Sequence, residues 1–179
     1  MLVWVMRHMI VGVSQFKCGN NSIKFDKDSV RKVIGLPSGE IEDDSVDEDL
    51  CKEAESIQCD YTTQESKCSI STVVTMCLDE HNAEVFIRHF MLVVLATVIA
   101  PNTSNSVDLN YLKFLMRPDS IRLYDWATLC FDHISAVVTK FQKKKNACEF
   151  ERNWRWYGSS LPLLLVWIYY YFLKFNIGM

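Results

Sequence analysis

Asp79-Glu-His-Asn-Ala-Glu-Val-Phe-Ile-Arg-His-Phe-Met-Leu-Val-Val-Leu-Ala-Thr-Val-Ile-Ala-Pro101 is the stretch on which the fold turns. Asp79 opens a helix and Pro101 stops it, because proline has no N–H to donate and its ring clashes with the preceding turn. The first half is amphipathic. Val85, Phe86, Phe90 and Met91 alternate with Glu84, Arg88 and His89. The second half, residues 91–100, is apolar on every side, the pattern of a helix central to a core or in a bilayer. The charges at 84, 88 and 89 leave an apolar run of about a dozen residues, short of the ~20 that a span needs. A central core helix is expected.

Outward from it, the chain reads as mainly α. Residues 1–13 form an apolar first helix. Phe16-Lys-Cys-Gly-Asn-Asn-Ser-Ile-Lys-Phe25 reads as a small β-hairpin, with Gly19, Asn20 and Asn21 supplying residues that tolerate positive φ. Asp28 or Ser29 caps a short helix through Ile34, and Gly35 ends it. Residues 71–78 and 108–116 are short helices. The clearest amphipathic helix follows Asp125. Trp126, Leu129, Cys130, Ile134, Val137, Val138 and Phe141 recur at intervals of mostly three and four. Lys143-Lys-Lys145 closes it, where positive charge suits the helix dipole. The sharpest shift in composition is the acidic run from Glu40 to Glu55, in which Lys52 is the one base. Such a run repels itself, and a mobile loop is expected over 40–68. The expected organisation is therefore one helical domain. Residues 1–39 hold the first helix, hairpin and Gly-Leu-Pro-x-Gly turn, 40–68 the acidic loop, and 69–179 the helical core.

The chain has 179 residues, 49% hydrophobic and 23% charged, enough to bury a sizeable core. Its net charge of −3 argues against general affinity for nucleic acid. Seven cysteines at irregular spacing do not form a disulfide framework, so reduced thiols and an intracellular location, nucleus or cytoplasm, are expected. Residues 161–173, Leu-Pro-Leu-Leu-Leu-Val-Trp-Ile-Tyr-Tyr-Tyr-Phe-Leu, are apolar and aromatic. Their length favours a buried helix. Their aromatic cluster and the Arg152, Trp154, Arg155, Trp156 flank also fit a membrane interface.

No catalytic residue, cofactor site or metal site is expected. Cys130 and His133 sit three apart on one helix, but Cys130 lies on the apolar stripe and reads as a core thiol. Of Cys51, Cys59, Cys68, Cys77 and His81, only the last two approach the close pairing of zinc ligands. Gly35-Leu-Pro-Ser-Gly39 lacks the Gly-Lys-Ser/Thr of a phosphate loop. One binding pattern remains. Lys140, Lys143, Lys144, Lys145, Arg152 and Arg155 interleave with Phe141, Phe150, Trp154, Trp156 and Tyr157, so that cations could track phosphates while rings stack bases, but a solvated helix end followed by aromatics that join the core is the favoured reading, given the acidic total.

The order of motifs resembles a plant family found especially in grasses. Those domains are plant-mobile-domain-like and of transposable-element origin, and occur alone or ahead of a SUMO-type ubiquitin-like-protein cysteine protease. The residues that carry the resemblance are Val33-Ile-Gly-Leu-Pro-Ser-Gly39, Phe90-Met-Leu-Val-Val-Leu-Ala-Thr97 with its Pro101-Asn-Thr-Ser104 turn, Tyr111-Leu112, Tyr124-Asp-Trp126 and Gly158-Ser-Ser-Leu161. The resemblance implies a helical fold and says nearly nothing of activity. The protease half, with its ordered His, acid, Gln and Cys, has no counterpart here. The family's last helix continues further, which implies a truncated or diverged copy. The expected function is that of a non-enzymatic, transposon-derived plant protein acting by protein–protein contact. Anchoring to a membrane by residues 161–173 is one alternative, and nucleic-acid binding through 140–157 is another.

Overall fold

The computed structural model describes residues 2–18, 21–37, 39–40, 47–62, 68–102, 104–144 and Val166. It is mainly α, with a small antiparallel sheet near the N-terminus. The chain divides into two compact units, Met1–Leu36 with Ala127–Met179 and Pro37–Trp126.

The first unit starts with helix α1, Leu2–His8, shorter than the helix expected over 1–13. Strand β1, Met9–Ile10, takes over from it. Ser14, at φ 51°, then turns the chain into β2, Gln15–Cys18. Strand β3, Asn21–Lys24, completes the hairpin read from the sequence. The sheet order is β1-β2-β3, all antiparallel, with Met9 opposite Phe16 and Phe16 opposite Ile23. Phe16 and Phe25 are buried, and Phe25 packs against Phe131 with ring centroids 5.6 Å apart.

Helix α2, Lys27–Ile34, is capped by Asp26, two or three residues earlier than expected. Asp26 Oδ1 accepts from the Ser29 N–H at 2.9 Å, and the Ser29 hydroxyl accepts from the Asp26 N–H at 3.4 Å. This reciprocal box satisfies two donors that the first turn leaves without intrahelical partners. Gly35 ends the helix as expected, at φ 76° with its N–H on the Arg31 carbonyl. Helix α6, Trp126–Lys144, buries Cys130, Ile134, Val137, Val138 and Phe141 along one stripe. The Gln142 amide donates to the carbonyls of Met6 and Met9, at 2.8 and 2.7 Å. Those carbonyls lie where α1 ends, and a helix's last carbonyls need partners from outside it.

In the second unit, part of the expected mobile loop is a helix. Residues Glu48–Tyr61 form α3. Asp47 accepts from the Asp49 N–H, and Glu48 and Asp49 sit at the positive end of the helix dipole, where acids stabilise. Ala54 and Tyr61, seven apart, face inward. The remainder of the expected loop lies largely outside the described residues. Helices α4, Ile70–Asp79, and α5, Ala83–Val94, pack as a hairpin. Ser69 caps the first and Asn82 the second. Residues Leu95–Ile99 continue α5 as a π segment, closed by the Ala100 N–H on the Leu95 carbonyl at 2.8 Å. Short 3-10 turns follow at Leu109–Phe114 and Pro118–Leu123, the first where a short helix was read over 108–116. Around them Phe114 meets Tyr124 and Trp126 edge-on, and the Trp126 indole donates to the Ile121 carbonyl.

Gly39 donates its N–H to the Tyr124 carbonyl at 3.2 Å. A Cβ there would land on the Leu123 carbonyl and 2.7 Å from the Tyr124 nitrogen, both backbone atoms that a rotamer change cannot move. Gly39→Ala is therefore expected to cost about 2 kcal/mol or more in urea unfolding, whereas Gly12→Ala, with open space around it, stays within about 1 kcal/mol. At Asp26, burial alone would raise the carboxyl, but hydrogen bonds from Lys24 and from the Ser29 backbone and hydroxyl outweigh it and hold the group below its ordinary value. A depressed acid stabilises above its unfolded pKa and loses that contribution as pH falls through the folded value. Asp26→Ala is expected to destabilise by about 1 kcal/mol at neutral pH, with the difference from wild type closing below about pH 4.

Candidate functional site

Helix α5 is not buried all round. Leu92, Leu95, Ala96 and Ile99 face inward with His89, while Phe86, Ile87, Phe90 and Val98 stand on the outside. Phe86 is 42% and Phe90 51% exposed, and their rings stack at 6.2 Å, 9° from parallel. Residues four apart are neighbours on a helix surface, so the pair forms one flat aromatic face. On α4, Val74 and the 79%-exposed Leu78 have the same i,i+4 relation. Isolated apolar residues on a surface are ordinary, and a stacked aromatic pair is the more distinctive exposed apolar feature of this hairpin. The sequence pattern placed Phe86 and Phe90 in the core. The available signal was the doubling of the apolar pattern, with 86 and 90 on one side and 85, 92 and 96 on the other.

An open depression of about 500 Å³ lies at the same hairpin, lined by Thr72, Thr75, Met76, Asp79, Glu80 and His89. Glu80 turns its carboxylate back on the linker and accepts from the His81 and Asn82 N–H groups at 2.9 and 2.7 Å. The bond from Asn82 is the main reason its carboxyl sits below the ordinary value. His89 is 4% exposed, and its Nδ1 has no hydrogen-bond partner among the described residues. Burial lowers its pKa against the opposing pull of Glu80 and the Met76 backbone. Tyr61 meets the His89 ring edge-on at 5.5 Å, and burial raises its pKa against the pull of Arg88.

Of the residues singled out from the sequence, Lys143 is exposed on the last turn of α6, and Lys144 is in the same turn. Lys145, Arg152 and Arg155 lie outside the described residues, as does the segment 161–173 apart from the exposed Val166. Cys130 is fully buried, and Cys51, Cys59, Cys68 and Cys77 are free thiols of differing exposure. Among the described residues no cluster of His, Cys, Asp and Glu could hold a metal, and no helix is long and apolar enough to cross a membrane.

The two units differ sharply in charge. Residues 37–126 carry 17 Asp and Glu against 6 Lys and Arg, a net −11, and the rest of the chain carries 13 Lys and Arg against 5 acids, a net +8. The total of −3 hides this separation. The exposed apolar pairs thus belong to a strongly acidic unit.

The family model described as a domain of unknown function, DUF8566, matches residues 1–151. The chain belongs to the DUF8566 family. The matched residues include all the helices and strands described above, the α4–α5 hairpin among them. No curated protein and no solved structure matches the chain.

The buried imidazole gives a testable pH dependence. A histidine whose folded pKa is lowered binds fewer protons than in the unfolded chain, so stability falls as pH drops through the ordinary value near 6.5. His133 on α6 is lowered in the same direction, first by burial and then by Lys140. The slope of unfolding free energy between about pH 7 and pH 5 is expected to shrink in His89→Gln and nearly vanish in the double variant with His133→Gln, read by urea titration.

Proposed function

We propose that this chain is a non-enzymatic protein-interaction module of the transposon-derived plant type, with its acidic unit as the docking half. The observation that carries the reading is the exposed, parallel Phe86–Phe90 stack on α5. The occupant that fits is an amphipathic partner helix with an apolar stripe and basic flanks. The stripe covers the aromatic pair, in the groove-and-helix mode of recognition. The flanks meet the field of a unit at −11, in which Asp79, Glu80 and Glu84 belong to the hairpin itself. Field of that sign speeds encounter and rejects acidic partners. The order of Gly-Leu-Pro-x-Gly, Pro-Asn-Thr-Ser and Tyr-Asp-Trp motifs supports the plant provenance.

The test uses the intact chain and two synthetic helical peptides, one of Leu and Lys, the other of Leu and Glu. Fluorescence anisotropy is expected to show binding of the Leu/Lys peptide alone. Phe86→Ser with Phe90→Ser should weaken it at least about tenfold, roughly 1.4 kcal/mol, with the thermal melt little changed. Equal binding of both peptides, or an indifferent double variant, overturns the docking assignment. Peptidase activity of the purified chain overturns the non-enzymatic one.

A further inference from the structure

The depression at the α4–α5 hairpin lies wholly within the acidic unit, and most of its polar lining accepts hydrogen bonds. We propose that it binds a primary alkylammonium group. Thr75 and Asp79 reach it from α4, Glu80 from the linker and His89 from α5. The Thr75 hydroxyl donates its proton to the Ser71 carbonyl at 3.1 Å, so its oxygen is left with lone pairs. Glu80 accepts both linker N–H groups through Oε1, and its Oε2 has no hydrogen bond among the described residues. Asp79 is exposed and forms no ion pair among the described residues. His89 is the decisive member. It is 4% exposed, lines the depression, and leaves Nδ1 without a partner among the described residues. The Met76 backbone raises its pKa, as a carbonyl does when it accepts from a ring N–H. With Nδ1 unpartnered, that N–H belongs to Nε2, and Nδ1 presents a lone pair. An unpaired buried acceptor is costly, and a ligand that donates to it recovers the loss.

Acceptors and two carboxylates select a cation with several donors. An ammonium group carries three N–H donors and a compact charge at the end of a flexible apolar stem. Met76, the apolar member of the lining, suits that stem. A bare metal ion is the other cation to weigh. It needs its ligand atoms within about 2.0–2.6 Å, and among the described residues no group of His, Cys, Asp and Glu could hold one. Hydrogen bonds near about 2.9 Å, pointing three ways from one nitrogen, reach a more widely spaced set. Arg88 acts on His89 from within the chain, but its guanidinium bonds Tyr61 and the residue does not line the depression. The volume of about 500 Å³ is in the range of small-molecule sites. The depression shares no residue with the Phe86–Phe90 stack, so the proposal does not rest on the docking reading.

The test is an NMR titration of the intact, isotope-labelled chain with n-butylammonium chloride at about pH 7.5, where an imidazole is neutral. Saturable shifts are expected in the backbone amides of Thr75, Met76 and Glu80 and in the His89 imidazole nitrogens, with a dissociation constant on the order of 1 mM. n-Butanol and butyrate, which keep the stem and lack the cation, should give no saturable shift. Asp79→Asn, Glu80→Gln and His89→Phe should each weaken binding about three- to tenfold, read on the amides. Gln keeps an oxygen for the linker N–H groups, and Phe keeps a ring against Tyr61, so both variants preserve the packing. Nα-acetyl-lysine methylamide, titrated in parallel, separates two sources of the same chemistry. Binding as tight as butylammonium supports a lysyl side chain as the occupant, and weaker binding supports a free amine. No saturable shift with either amine, an equal response to butanol, unchanged affinity in all three variants, or tighter binding of zinc or magnesium ions at the same amides overturns the assignment. Phe86→Ser with Phe90→Ser should leave the butylammonium titration unchanged, so the docking proposal and this one can fail separately.

Discussion

The basic unit depends on closing a very long loop, and one side-chain amide specifies how it closes. Gln142 reaches Met6 across 136 residues and Met9 across 133. Bringing such distant positions together costs roughly 4 kcal/mol of chain entropy. Two hydrogen bonds return about 1 kcal/mol each, because they replace bonds to water. The bonds therefore cannot hold the unit shut by themselves. What offsets the closure is apolar burial by Val5, Met6, Met9, Phe16, Phe25, Val137, Val138 and Phe141, each contributing on the order of 2 kcal/mol. The amide's role is specification. Burial would accept several rotations of α6 against α1, but only one leaves two helix-end carbonyls paired.

The acidic unit solves a different problem. Its charges cannot neutralise one another, so they are used locally. Asp47 caps α3, Glu48 and Asp49 sit on the dipole's positive end, Glu80 collects two linker N–H groups, and Glu53 holds Arg117. Each acid near a helix start or a loop turn stabilises what it touches while adding to the overall field. Apolar residues left outside on α4 and α5 then stand in a strongly negative environment. Repulsion between like units discourages two such surfaces from joining, which keeps the apolar face available to partners of the other sign.

The fold was legible wherever a local signal decides it. The hairpin, the Gly35 stop, the Pro101 stop and the α6 stripe were all readable because turn chemistry and period are properties of neighbouring residues. α3 was hidden because nine acids between 40 and 55 looked like a self-repelling loop, and the inward spacing of Ala54 and Tyr61 is weak beside them. The need for glycine at 39 was invisible, since it comes from the Leu123 carbonyl more than eighty residues away. The candidate sites divided in the same way. Lys143 could be named from a basic run. Phe86 and Phe90 were visible as apolar residues, but hydrophobicity does not tell a core stripe from a docking face on a helix that carries both.

The basic unit is also interrupted along the chain. Its first 36 residues and its closing helix are separated by the whole of Pro37–Trp126. A ribosome therefore releases α1, the hairpin and α2 long before it makes Gln142. The acidic unit, being continuous, can complete its packing while the earlier segment still waits for its last helix. During that interval Val5, Phe16 and Phe25 have no α6 to cover them, so a nascent chain exposes its most adhesive surface at the N-terminal end. Pausing or truncation before residue 142 strands the molecule in that state, and the demand for chaperone protection falls on the segment synthesised first.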